Sequence, residues 1–228
     1  MSDSYEFEIK IKGKNVEVFP CDKPNMPVVY LNSYMGENVG LYDTLIQMGY
    51  GDFTLVAVSN LDWDGDMTPW YFPPISAEDT PCTGQADAYL QLMIGEIMPH
   101  VESSLNGISW RGIAGYSLAG LFAVYSVYKT DVFSKVATMS GSLWFPDFSE
   151  YVKLHDMVRK PECAYFSLGD KECKTRNPYL QTVQDNTEAI EDHFAKCGIK
   201  TCYKLNPGNH FANGTKRTAD GIAWMFDN

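Results

Sequence analysis

An α/β fold built on a mostly parallel sheet is predicted by three observations. Short continuous apolar runs such as "MPVVYLN" and "FTLVAVSN" read as strands covered on both faces. Segments of helical length and period stand between such runs, so strand and helix alternate as in βαβ units. Strict alternation of polar and apolar residues is confined to the opening stretch, "YEFEIKIKGKNVEVFP".

That opening stretch alternates with period two on both sides of a Gly13-Lys14-Asn15 break, and predicts an antiparallel hairpin at one edge of the sheet. The runs at 26–32 and 53–60 give the next two strands. An irregular segment follows, Asn60 to Gly84, too aromatic for disorder and too long for an ordinary connection. A helix is predicted over Ala86–Ser104, then the strand "SWRGIAG" and a helix over Leu118–Tyr128. "KVATMSG" and "AYFSLG" are strands. A helix over Pro178–Cys197, the strand "KTCYKLN" and a helix over Thr215–Phe226 complete the chain. With 228 residues, 45% hydrophobic and 14% aromatic, and with no repeat or linker, one domain spanning 1–228 is expected.

A formal charge of −11 makes nucleic acid and anionic lipid poor partners. The N-terminus has no basic stretch followed by an apolar one, and no apolar run approaches the ~18 residues of a spanning helix, so a cytoplasmic location is expected. The six cysteines include no C-x-x-C pair and read as free thiols. Asp62, Asp64 and Asp66 in "DWDGD" invite a calcium loop. The sixth and twelfth positions of such a loop hold Met67 and Pro73 instead of Gly and Glu, so no metal is expected there. The Asn60–Gly84 segment reads instead as a wall beside a pocket, with Trp63, Trp70, Tyr71 and Phe72 suited to an aromatic or bulky apolar group.

"GIAGYSLAGLF" carries the chemistry. "GYSLA" fits G-x-S-x-G with alanine in the last small position, between an apolar strand and a helix. Such an elbow needs small residues two positions either side of the serine, and Gly115 and Ala119 satisfy that demand. Ser117 is the candidate nucleophile, and the N–H of Leu118 at the helix start is a candidate oxyanion donor. Of the four histidines, His100 and His193 lie in helical segments and read as surface or packing residues, and His155 in "YVKLHDMV" looks similar. His210, in "NPGNHFANG" after the last strand, stands where catalytic groups gather. The acid should fall between Ser117 and His210 in the chain. Asp170 and Glu172 both follow the strand ending near Gly169 and share a face; the later, longer Glu172 reaches further, with Asp170 the alternative and Asp147 the outsider.

"GYSLAG", "SGSLW", "SLGDKECKTRNP" and "NPGNHF" together resemble the esterase D and enterochelin-esterase-like branch of the α/β-hydrolases, from about Met26 to the C-terminus. The resemblance implies an α/β-hydrolase fold without a large cap domain, acting on a small-molecule ester with no cofactor. It places the nucleophile on Ser117, the base on His210 and the acid, three residues after the strand's closing glycine, on Glu172. The family's oxyanion loop, commonly His-Gly-x-Gly, corresponds here to "LNSYMG", so the second oxyanion donor is Ser33 or Tyr34. Siderophore, aryl and acyl esters are the implied substrates. Acyl transfer would use the same residues, and a binding protein keeping the fold is the non-catalytic alternative.

Overall fold

The computed structural model describes residues 7–34, 38–76 and 79–228. Tyr5 and Glu6 of the predicted hairpin, and Met35 and Gly36 of "LNSYMG", lie outside the described residues.

Eight strands form one sheet in the order β1-β2-β4-β3-β7-β8-β9-β10. β1 (Phe7–Ile11) and β2 (Lys14–Phe19) make the antiparallel hairpin at one edge, and β2 also runs antiparallel to β4 (Thr54–Ser59). The hairpin break falls earlier than the sequence suggests. Lys12 and Gly13, at φ 50° and 84°, form a two-residue turn, and Lys14 and Asn15 already belong to β2. Two successive positive φ values match the twist of the flanking strands, which is why this turn closes the hairpin.

The remaining strands are parallel: β4, β3 (Met26–Asn32), β7 (Ile108–Tyr116), β8 (Lys135–Met139), β9 (Cys163–Gly169) and β10 (Lys200–Asn206). β4, β8 and β9 are buried at every position, as continuous apolar runs require when helices cover both faces. α1 (Asn38–Gln47) and α8 (Gly214–Phe226) cover one face. The other carries a helical run and two further helices, α5 (Leu118–Ser126) and α7 (Val183–Lys196), with α6 (Phe148–Leu154) packed on α7. That run, predicted over Ala86–Ser104, is α3 (Ala86–Leu92), a π-turn at Met93–Ile97 and α4 (Met98–Glu102).

In its described residues the Asn60–Gly84 segment is more ordered than its composition suggests. It holds a one-turn helix, α2 (Trp63–Asp66), and a two-stranded ribbon of β5 (Tyr71–Phe72) and β6 (Cys82–Thr83). Two of its acids are engaged: Asp66 pairs with Lys14 of β2, and Asp64 accepts from the Thr80 hydroxyl. All six cysteines are free thiols. Among the described residues, no helix is long and apolar enough to cross a membrane.

Candidate active site

The parallel strands β3, β7, β8, β9 and β10 end on the same edge of the sheet, and the loops after β7, β8, β9 and β10 bring Ser117, Ser140, Glu172 and His210 together. β7 delivers Ser117, at φ 59° and ψ −126°, where the chain passes from strand to helix in one residue. So sharp a turn leaves no room beside it. A Cβ on Gly115 would stand 2.1 Å from the Ala119 carbonyl oxygen, and one on Gly120 would stand 2.6 Å from Thr138 Oγ1. The Ser117 backbone is fixed on all sides. Its N–H donates to Met139 O at 3.2 Å, and its carbonyl accepts from Gly120, Leu121 and Ser142 N–H groups at 3.0, 3.2 and 2.9 Å. The strained residue is therefore held by its surroundings and not by its own preference.

His210 Nε2 lies 3.1 Å from Ser117 Oγ, and His210 Nδ1 lies 2.7 Å from Glu172 Oε2. The other three histidines are used elsewhere: His155 stacks on Tyr151 at 4.1 Å, His193 Nε2 sits 3.6 Å from Cys197 Sγ, and His100 is exposed on α4. Beyond Gly169 the chain turns back, with the Glu172 N–H donating to Gly169 O at 3.1 Å, so Glu172 and Asp170 do not share a face. Asp170 Oδ1 instead accepts the Gly208 N–H at 2.7 Å and ties down the turn that carries His210. Asp147 stands at the start of α6 in the left-handed region, φ 64°.

Glu172 Oε1 accepts from Gly169 N–H at 2.6 Å, Ser140 Oγ at 2.7 Å and Arg217 Nη1 at 3.1 Å. Burial by itself raises this carboxyl; the hydrogen bonds from His210, Ser140 and Gly169 outweigh it and hold Glu172 below the usual carboxylate range. Arg217, Ser140 and Tyr116 escape the sequence reading. Arg217 is 2% exposed on α8, which the sequence predicts only as a helix over Thr215–Phe226. Tyr116 immediately precedes Ser117 and donates its hydroxyl to His210 O at 2.6 Å.

At the β3 end, the Ser33 N–H donates to Val58 O at 2.9 Å and extends the sheet by one step; Tyr34 lies beyond it, 64% exposed, with its ring on Trp63 at 5.1 Å. Leu118 is the first residue of α5, where helix geometry gives the N–H no intrahelical acceptor. Trp70 is turned inward: its Nε1 donates to Pro146 O at 3.2 Å and its ring packs on Phe145, Phe148 and Tyr151. Tyr71 is 65% exposed, and Phe72 packs between Phe145 and Tyr179.

A mostly parallel sheet with an antiparallel edge hairpin, helices on both faces and a serine on a strained turn after a central strand defines an α/β-hydrolase fold. The chain belongs to the family described as "Putative esterase", which it matches over residues 19–211. Ester hydrolysis is the activity this family supports. In sequence it is 20% identical over 221 residues to an uncharacterized protein of Bacillus subtilis (strain 168), YbbA, covering 91% of this chain and 88% of that one. In structure it is similar to an IroE-like serine hydrolase from Shewanella oneidensis, with a TM-score of 0.82 at 19% identity, covering 98% of this chain and 80% of that one. It is also similar to the siderophore hydrolase EstA of Aspergillus nidulans, with a TM-score of 0.78 at 17% identity, covering 98% and 94%.

Proposed function

We propose that the protein is a serine carboxylesterase that works as one domain through an acyl-enzyme on Ser117. The observation that carries this reading is the continuous chain of contacts from Ser117 Oγ through His210 to Glu172, at 3.1 and 2.7 Å. Ser117 attacks the ester carbonyl while His210 Nε2 takes its proton, and the imidazolium that forms is held by Glu172 Oε2. His210 then returns the proton to the leaving alcohol. Water, deprotonated by the same nitrogen, attacks the acyl-enzyme, and the acid leaves as that proton passes from His210 back to Ser117 Oγ. The N–H of Leu118 supplies one oxyanion donor. Tyr34 supplies the other, because the Ser33 N–H is engaged with Val58 O.

The substrates are aryl or bulky acyl esters, siderophore esters among them, a reading supported by the likeness to a siderophore hydrolase and by the exposed aromatics Tyr34 and Tyr71. Trp63 and Tyr71 line the approach, and Trp70 holds the wall they stand on. A fluorophosphonate probe tests the assignment directly. Ser117 should carry the label, and Ser117→Ala should lose both label and turnover of p-nitrophenyl acetate. Labelling at Ser140 or Ser142 would refute it.

A further inference from the structure

Glu172 and His210 reach each other from separate loops, after β9 and after β10. Their 2.7 Å contact therefore depends on something that holds the two loops in register. Their backbones are already tied, by Asp170 Oδ1 accepting the Gly208 N–H at 2.7 Å and the Lys171 N–H donating to Gly208 O at 3.1 Å, and one further side chain touches both loops and the acid itself. Arg217 Nη1 bonds Glu172 Oε1 at 3.1 Å and Ser140 Oγ at 3.0 Å, while Nη2 bonds the carbonyl of Pro207, three residues before His210, at 3.1 Å. Nη1 also lies 3.3 Å from the Tyr116 hydroxyl, which itself donates to the His210 carbonyl at 2.6 Å. The guanidinium thus joins the acid's loop, the base's loop and the end of the nucleophile's strand.

Stability alone does not account for this arrangement. Arg217 stands in the first turn of α8, where the helix dipole disfavours a cation, and at 2% exposure it has left water behind. A buried ion pair rarely improves stability over well-packed apolar groups. The surroundings are also shaped around it: a Cβ on Gly169 would fall 3.0 Å from Nη2 and 2.4 Å from Gly208 O.

We infer that Arg217, acting with Tyr116, is a positioning residue for ester hydrolysis, a fork that sets Glu172 Oε2 against His210 Nδ1 and His210 against Ser117. The inference rests on the assignment of Ser117 as nucleophile. Arg217 touches no reacting atom, and its effect reaches the reaction through the geometry of the acid and the base.

The test uses full-length Tyr116→Phe, Arg217→Lys and Arg217→Met. It reads the rate constant and final amplitude of fluorophosphonate labelling, kcat and KM for p-nitrophenyl acetate, and the downfield proton signal of the His210–Glu172 hydrogen bond. Tyr116→Phe should label to full amplitude about tenfold more slowly, with kcat down by a similar factor at unchanged KM. Arg217→Met should lose about 100-fold in kcat together with the downfield proton signal. Arg217→Lys should recover only a small part, because an ammonium cannot span Glu172 and Pro207 as the planar fork does. If Arg217→Met fails to fold, Tyr116→Phe and Arg217→Lys still decide. Wild-type rate constants in both, or losses confined to labelling amplitude, would overturn the inference while leaving Ser117 as nucleophile. A wild-type protein that takes no label at Ser117 would overturn the nucleophile assignment itself, and the inference with it.

Discussion

Replacing Glu172 by glutamine separates the two oxygens of its carboxylate. Oε1 receives three donors, from Gly169, Ser140 and Arg217, so the amide must keep its oxygen on that side. Its NH2 then faces His210 Nδ1 in place of Oε2, and the imidazole can meet it only with a bare Nδ1. That tautomer carries its proton on Nε2, which lies 3.1 Å from Ser117 Oγ and can no longer accept the serine's proton. The wrong tautomer costs on the order of 10⁴-fold in kcat where the acid of a serine triad is amidated. Glu172→Gln also leaves the buried Arg217 charge without its counter-charge, which costs about 3 kcal/mol, or about 6–12 °C in Tm for a chain of this size. Steady-state turnover of p-nitrophenyl acetate well below the variant's Tm, with circular dichroism to confirm folding, measures the catalytic part alone. Asp170→Asn is the control, since its amide oxygen can still accept the Gly208 N–H, and kcat should stay within about threefold of wild type. A folded Glu172→Gln within about tenfold of wild type, or a larger loss from Asp170→Asn, would refute the reasoning.

Gly115→Ala forces a Cβ to within 2.1 Å of the Ala119 carbonyl oxygen, backbone that cannot step aside, so a Tm drop corresponding to about 3 kcal/mol and loss of turnover are expected in thermal melts and assays. Because folding lowers the Glu172 pKa below the ~4.3 of an unfolded glutamate, its stabilisation is fully present above that pH and is lost as pH falls through the lower folded value. Thermal melts from about pH 6 to pH 3 should therefore fall more steeply for wild type than for Glu172→Gln, and parallel curves would remove Glu172 from the account. Trp70→Ala should cost about 3 kcal/mol in stability and raise KM for aryl esters, whereas the exposed Tyr71→Ala should raise aryl KM with Tm unchanged; equal KM effects on aryl and acetyl esters would make the segment structural only.

The parts of this protein that are legible in sequence are those specified locally. The turn at Ser117 is written within five residues, because Gly115 and Ala119 meet each other across it. The buried strands announce themselves as unbroken apolar runs, and their parallel direction, though not their order in the sheet, follows from their alternation with helices. α1 and α6 are missed; at ten and seven residues they are short, and neither stands out by its pattern. Period-two reasoning fails for Asp170 and Glu172 because it holds only while the chain is extended, and here it turns at Gly169. Arg217 is illegible for a different reason. Its partner lies 45 residues away, and an arginine on an amphipathic helix looks like any solvated one until the fold buries it.

The backbone angles at Ser117 carry a consequence for how such a protein ages in evolution. A non-glycine residue at φ 59° and ψ −126° costs about 1–3 kcal/mol, and glycine relieves most of it. A Ser117→Gly chain, which the proposed mechanism leaves without a nucleophile, is thus the sturdier molecule. Folding exerts no pull toward serine at this position, and drift away from it is thermodynamically downhill. A copy released from the demand for turnover would lose its chemistry first and keep its shape, so within such a lineage an intact fold is no certificate of a working enzyme.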